Sequence, residues 1–208
     1  KIKLAYKYAM KRTYDNANEI ESYLADDKYI YIPINTNDDI IAYMGRRYLD
    51  IDSIPRYKMN ILEPDKPMIG FFDEVANNLS INSLYISEGY FDSYAINYAY
   101  VNYVSICTFG KSNVTSTLNS LYKTFPTNTN IYLTFDSAKK DKEIYRTIMS
   151  FGKRLLDYFN NIYVVELPDH DPAEILEKSG SFELKKLLSD KVMPYLKYRI
   201  LNSSKGWK

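Results

Sequence analysis

The chain has 208 residues, 46% of them hydrophobic, and its formal net charge at pH 7 is +1. This length is enough for one compact domain or two small ones, and the near-neutral charge means that any nucleic-acid binding must come from a local basic patch. A single cysteine and a single histidine exclude a disulfide framework and a Cys/His zinc site built from this chain alone. No apolar run of about 18 residues occurs, so we expect no membrane-spanning helix. The cysteine usage indicates a reducing, cytoplasmic compartment.

The first half of the chain is predicted to contain a β-hairpin. Tyr29–Ile34 alternates aromatic and branched aliphatic side chains, residues 35–39 are a turn cluster of Asn, Thr and Asp, and Ile40–Met44 is the returning strand. The hairpin runs directly into Gly45-Arg46-Arg47. Ser53–Asn60 is predicted as a loop in which basic and aromatic side chains interleave.

From residue 83 onward the pattern changes to alternating strands and helices. This alternation is typical of an α/β fold, with a parallel sheet covered by helices on both faces. The predicted strands are Leu84–Glu88, Tyr103–Cys107, Ile131–Asp136 and Ile162–Glu166. The predicted helices are Phe91–Tyr100, Val114–Thr124, Lys142–Phe159, Ala173–Glu177 and Phe182–Tyr198.

Acidic residues follow three of these strands at their carboxyl ends. Glu88 ends the first strand and Asp92 follows it, Asp136 ends the third, and Asp169 and Asp171 follow the fourth. Because the carboxyl ends of parallel strands meet at one edge of a sheet, we expect these side chains to lie close together. Clustered carboxylates repel one another unless a cation neutralises them, and oxygen ligands suit Mg²⁺ or Mn²⁺ in phosphoryl-transfer sites.

Each of these acids also has a purely structural interpretation, as a solvated loop residue or a helix N-cap. For Asp171, which directly precedes Pro172 at a predicted helix start, capping and chemistry are both consistent with the sequence. Glu88 closes an apolar strand, where a cap is less natural, and Gly89 lets the backbone turn immediately after it. Glu88 and Asp136 are therefore the favoured candidates for a catalytic role.

The order of these motifs resembles that of DnaG-type primases of bacteria and phages. The run E-G-Y-F-D at residues 88–92, the apolar strand ending at Asp136, and L-P-D-H-D-P at residues 167–172 resemble the Toprim domain of these primases. Upstream, the hairpin ending in G-R-R and the run S-I-P-R-Y-K-M-N resemble the first part of their catalytic core. The resemblance covers residues 14–190.

The resemblance implies an RNA-polymerase core that synthesises short primers on single-stranded DNA by metal-dependent nucleotidyl transfer. It implies an α+β subdomain at residues 1–80, a Toprim-type parallel sheet at 81–178, and a C-terminal helix and tail at 179–208. Expected partners are the DNA template, ribonucleoside triphosphates and, through regions outside this segment, a replicative helicase; no membrane is involved. The catalytic residues would be Glu88 and Asp136. Mg²⁺ or Mn²⁺ would be held by Glu88, Asp92, Asp136, Asp169 and Asp171.

Basic residues with neighbouring tyrosines are predicted to hold phosphates and stack a base. By the resemblance, Arg46 and Arg56 match positions used for template and nucleotide contact, and the supporting residues are Arg47, Tyr57 and Lys58. An ordinary solvated surface is the alternative. Lys111, in Gly-Lys-Ser, does not belong to a Walker A motif, because the required earlier glycine is Ser105. Its loop precedes a predicted helix, so its amides could still contact a phosphate.

One position departs from the family pattern. The primases carry D-x-D at the third strand end, and this chain has Ala138 in place of the second acid; the spacing of the run is closer to T4-like phage primases. The nearest following acid is Asp141. Two alternatives therefore stay open. One is a catalytically degenerate Toprim module that binds nucleic acid or a replication partner; the other is a different Toprim enzyme, such as a nuclease or topoisomerase fragment, against which the upstream hairpin argues.

Overall fold

The computed structural model describes residues 24, 26–49, 53–78, 81–110, 114–135, 142–167 and 170–203. These residues fall into two compact units. The first lies within residues 1–33 and 42–62, and the second within residues 34–41 and 63–208. The boundaries at residues 80 and 178 that the sequence suggests remain predictions.

A three-stranded sheet contains the predicted hairpin. Its strands are β1 (Tyr29–Thr36), β2 (Asp39–Arg47) and β3 (Tyr57–Ile61), in the order β1-β2-β3. The hairpin turn is made by Asn37 and Asp38, which both have positive φ angles of 52° and 65°. Asn and Asp tolerate this conformation, and paired positive φ angles match the twist of a tight hairpin. The predicted hairpin is confirmed.

The predicted loop over Ser53–Asn60 is wrong in its second half, because β3 pairs antiparallel with β2 there. Gly45 lies opposite Lys58, and Arg46 lies opposite Tyr57. Every β3 side chain is exposed or half-buried, so the segment lacks the apolar alternation that predicts a strand. Backbone pairing with β2 makes it a strand.

The second sheet has five strands in the order β5-β4-β6-β7-β8. Four of them are parallel, as predicted, and β8 pairs antiparallel with β7. The strands are β4 (Ser83–Ser87), β5 (Ser105–Cys107), β6 (Asn130–Thr134), β7 (Asn161–Val165) and β8 (Val192–Pro194). The parallel strands therefore bring their carboxyl ends to one edge of the sheet.

Helices cover both faces of this sheet, and alternate residues of β4 show why. Leu84 and Ile86 point into the larger hydrophobic core, while Tyr85 points into a smaller one on the other face. The helices are α1 (Phe72–Ala76), α2 (Tyr90–Tyr100), α3 (Val114–Thr124), α4 (Lys142–Leu155), α5 (Pro172–Asp190) and α6 (Tyr195–Ser203). Helices α1, α3, α4 and α6 contribute to the larger core, and α2 and α5 to the smaller one. No described helix is long and apolar enough to cross a bilayer.

The C-terminal helices differ from the prediction. Helix α5 is kinked at Gly180, which has φ 79° and ψ 174°, close to the predicted gap between two helices. The predicted single helix Phe182–Tyr198 is wrong at residues 191–194, where the chain leaves α5 and forms β8. Tyr195–Tyr198 is helical, as predicted, but belongs to the separate helix α6. A three-residue edge strand is too short to leave a periodic signal in the sequence, and only its pairing with β7 defines it.

Candidate active site

The turn after β4 carries Glu88 and the backbone geometry that surrounds it. Gly89 is the N-cap of α2, with φ −93° and ψ 144°, a conformation open to any residue. Its lack of a side chain matters for another reason: a Cβ at this position would collide with the carboxylate of Asp92. The E-G-x-x-D spacing therefore folds the Asp92 carboxylate back over the turn that presents Glu88.

The start of α5 contributes the next acid. Asp171 is the N-cap of this helix, and its Oδ1 accepts a hydrogen bond from the Glu174 amide at 2.7 Å. The capping interpretation of Asp171 is thus confirmed. The Ala173 amide donates to Asp92 Oδ1 at 3.4 Å, so two acids 79 residues apart in sequence, 171 − 92, meet at the beginning of one helix.

Strands β4 and β6 end side by side, with Ser87 opposite Thr134. The Ser87 hydroxyl is buried and has no hydrogen-bond partner among the residues that the structure describes. Buried polar atoms are rarely left without a partner, so this hydroxyl at the end of β4 fits an edge that receives a polar ligand or a ligand-bound water.

Three of the predicted site residues lie outside the described residues: Asp136, Asp169 and Lys111. Among the described residues, no group of three or more His, Cys, Asp or Glu side chains could hold a metal ion. The predicted ligands are all carboxylates, and hard oxygen donors of this kind fit Mg²⁺ or Mn²⁺. The metal site therefore stays a prediction.

A buried thiol lies under the Glu88 turn. Cys107, the last residue of β5, is fully buried; its Sγ donates to the Glu88 carbonyl at 3.1 Å and accepts from the Phe109 amide at 3.3 Å. Burial raises the pKa of this thiol, and the negative charges of Asp92 and Glu88 raise it further. The hydrogen bond from this thiol joins the end of β5 to the turn that presents Glu88.

The Cys107 thiol should resist modification in the folded chain. Because the thiolate is the reactive form and both burial and a raised pKa suppress it, we expect Ellman's reagent to react roughly 100-fold more slowly in native buffer than in guanidinium, since reaction requires local opening. The measurement is thionitrobenzoate release in mildly alkaline buffer with and without denaturant. Equal rates in the two buffers would contradict this placement of the thiol.

The predicted basic residues assemble partly on the small sheet. The Arg46 guanidinium carbon lies 4.5 Å from the ring centroid of Tyr57, and that of Arg56 lies 5.8 Å from it. The Tyr57 side chain is exposed. Arg47 is close in sequence but donates from its guanidinium to the Ile54 carbonyl at 2.8 Å, so it fastens the loop between β2 and β3. Arg46, Arg56 and Tyr57 thus form one cationic and aromatic surface, which we call the arginine patch.

The Lys58 side chain lies on the opposite face of the small sheet from Tyr57, because neighbouring residues of a strand point to opposite faces. Its Nζ forms an ion pair with Asp26 at 2.9 Å and lies 4.3 Å and 5.0 Å from the ring centroids of Tyr29 and Tyr31. The hydrogen bond from Lys58 lowers the pKa of Asp26. In this structure Lys58 ties β3 to β1, and its contact with a nucleotide remains a prediction.

Comparison with known proteins finds similarity to DNA primases. No protein-family profile matches the chain. Over 167 residues the chain is 29% identical to the DNA primase of Thermotoga maritima. The aligned region covers 77% of this chain and 28% of that protein. The RNA polymerase domain of Mycobacterium tuberculosis primase DnaG superposes with a TM-score of 0.68 at 18% identity, covering 85% of this chain and 60% of that one. A DnaG primase catalytic domain bound to single-stranded DNA superposes with a TM-score of 0.68 at 17% identity, covering 86% and 57%.

These matches show that the chain has a primase-type α/β fold. More specifically, the chain has the fold of DnaG primase catalytic cores, and the resemblance that the motifs predict is confirmed in sequence and in structure. The chain spans 28% of the length of its curated relative.

Proposed function

We propose that this chain forms the catalytic core of a DNA primase and makes short RNA primers on a single-stranded DNA template. The observation that carries the proposal is the E-G-x-x-D turn, with Glu88 at the carboxyl end of β4, in a chain that has the fold of DnaG catalytic cores. A related DnaG catalytic domain binds single-stranded DNA, which supports the same template here. Ribonucleoside triphosphates would be the substrates, and a replicative helicase would be a partner of the whole protein.

The proposed reaction joins two ribonucleotides. The 3′-hydroxyl oxygen of one attacks the α-phosphorus of the other, the new phosphodiester bond forms, and the bond to pyrophosphate breaks. The hydroxyl proton needs an acceptor, and Glu88 is either that acceptor or a ligand of the metal. Positioning and charge stabilisation supply most of the rate enhancement in such transfers.

A divalent Mg²⁺ or Mn²⁺ ion, when bound, would neutralise charge on the triphosphate and orient it. Glu88, Asp136 and Asp169 are the proposed ligands. Asp92 and Asp171 each use one carboxylate oxygen for a backbone amide of α5, which supports a cap rather than a full ligand at these two positions. The buried Ser87 hydroxyl lies next to Glu88 in sequence, at the end of β4.

The arginine patch is proposed to bind the template backbone or the triphosphate. Two guanidinium groups offer charge-assisted hydrogen bonds to phosphate, and both lie over the exposed Tyr57 ring. Stacking of a base on Tyr57 stays a prediction. Cations already held over a ring are positioned without further loss of side-chain freedom, which favours binding.

The second candidate function is a catalytically degenerate module that binds nucleic acid without synthesis. Ala138 favours it, because the resemblance places a second metal-binding acid there. A site that lost this acid would bind Mg²⁺ or Mn²⁺ weakly and gain little stability from either ion.

Primer synthesis tests the proposal directly. The assay contains single-stranded DNA of mixed sequence, all four ribonucleoside triphosphates with one labelled, and Mg²⁺ or Mn²⁺ in parallel. We expect short RNA products from the parent chain and a loss of roughly 100-fold or more in Asp136→Ala, since a metal ligand contributes several kcal/mol to transition-state stabilisation. Absence of product with either metal, even from an annealed primer, would contradict synthesis by this segment. A gain of product in Ala138→Asp would then identify a degenerate site.

A further inference from the structure

We propose that Asp92 is a positioning residue, which completes the N-terminal cap of α5 and holds this helix against the Glu88 turn, and that it is not a metal ligand. The inference rests on the proposed function only for its consequence in catalysis. The contact itself is a hydrogen bond from the Ala173 amide to Asp92 Oδ1 at 3.4 Å.

The backbone amides at the start of α5 account for the role of Asp92. A helix leaves its first amides without partners inside the helix. Pro172 has no amide hydrogen, the Glu174 amide donates to the Asp171 side chain, and the Ile175 amide donates to the Asp171 carbonyl. The remaining amide, that of Ala173, donates to Asp92. Two acids from distant parts of the sequence together satisfy the whole end of the helix.

The second oxygen of Asp92 is also committed to a specific place. It lies over Gly89, where a Cβ would collide with it. The carboxylate thus lies between the backbone of the Glu88 turn and the start of the first helical segment of α5, which runs from Pro172 to the kink at Gly180. The dipole of this segment favours negative charge at its N-terminus. A metal ion at Asp92 would compete with both contacts.

The consequence is mechanical coupling between two parts of the site. Helices α2 and α5 already share the smaller core, through Ala95 and Ile96 on one side and Ile175 and Leu184 on the other. Asp92 adds a polar tie at the end of α5 nearest the turn. It therefore fixes the position of Asp171 relative to the Glu88 turn.

Two substitutions at one position separate positioning from metal ligation. Asp92→Asn keeps an oxygen acceptor for the Ala173 amide but removes the charge, whereas Asp92→Ala removes both. In amide hydrogen exchange, we expect the Ala173 amide to exchange about tenfold faster in Asp92→Ala and at the parental rate in Asp92→Asn. Only Asp92→Ala leaves the Ala173 amide without its acceptor. Asp190→Ala, at the opposite end of α5, is the control and should leave Ala173 unchanged.

Metal affinity supplies the decisive readout. Titration with Mn²⁺ alone, followed by its electron paramagnetic resonance signal, should give Asp92→Asn a dissociation constant within about threefold of the parental value, whereas loss of a carboxylate ligand weakens binding much more. Weakening of tenfold or more in Asp92→Asn, with Ala173 exchange still parental, would overturn the proposal and make Asp92 a ligand. Unchanged Ala173 exchange in Asp92→Ala would overturn it as well.

The exchange measurement needs neither primer synthesis nor metal. If the parent makes no primers but Ala173 responds as expected, the positioning role holds and the primase proposal fails. If primers are made but Ala173 does not respond, the reverse is true.

Discussion

Glu88→Gln is expected to reduce the rate of primer synthesis by roughly 10²–10⁴-fold, the range associated with loss of a positioned acid or base. The substitution keeps the size of the side chain and removes its charge. Glutamine can therefore neither accept the hydroxyl proton nor serve as an anionic ligand. Glu88 is half-buried just beyond the end of β4. Its backbone carbonyl accepts a hydrogen bond from the Cys107 thiol, and the substitution leaves that hydrogen bond in place.

The fold should survive this change. We expect the free energy of unfolding of Glu88→Gln to stay within about 1 kcal/mol of the parental value, the range of substitutions that create no cavity or strain. The matched control is Glu177→Gln, the same substitution at an exposed position of α5, which should keep parental activity. Parental activity in Glu88→Gln would remove Glu88 from the catalytic site and, with it, the main support for the proposed chemistry.

Gly152→Ala should lower the free energy of unfolding by about 2 kcal/mol, although alanine is the better helix former by roughly 1 kcal/mol. Gly152 lies in α4, and a Cβ there would collide with the ring of Tyr195. That ring is 1% exposed and its hydroxyl donates to the Met149 carbonyl at 2.7 Å. Overpacking costs about 1–3 kcal/mol. Displacement of the ring also weakens the hydrogen bond from Tyr195 to Met149, which contributes about 1 kcal/mol.

Urea unfolding followed by circular dichroism measures this change, with Ser150→Ala as a control at an exposed position of the same helix. The control should be neutral or slightly stabilising. In a Tyr195→Leu background, Gly152→Ala should lose its penalty, because the colliding ring is gone. A stabilising effect of Gly152→Ala in the parental background would mean that Tyr195 does not pack on the backbone of α4.

The sequence carried enough local information to predict most of the sheet domain. The apolar strands that become β4, β6 and β7 lie within two residues of their predicted bounds, because a strand buried on both faces must be apolar along its length. The turn at Asn37 and Asp38 was predictable for a different reason, since these residue types tolerate positive φ angles. The order of Glu88, Asp92 and Asp171 relative to the strands predicts that all three lie at one sheet edge.

Tertiary structure decided the role of Asp92. The sequence predicts this residue in the first turn of a helix, and only the packing of α2 against α5 brings its carboxylate to the Ala173 amide. The cap at Asp171 is local, and the following Pro172 already indicates it. Likewise, only pairing with β2 makes β3 a strand and turns Lys58 away from Tyr57. Local propensity and periodicity report on neighbours along the chain. A helix cap supplied by another helix, an edge strand and an ion pair across a sheet depend instead on residues that folding brings together from distant positions.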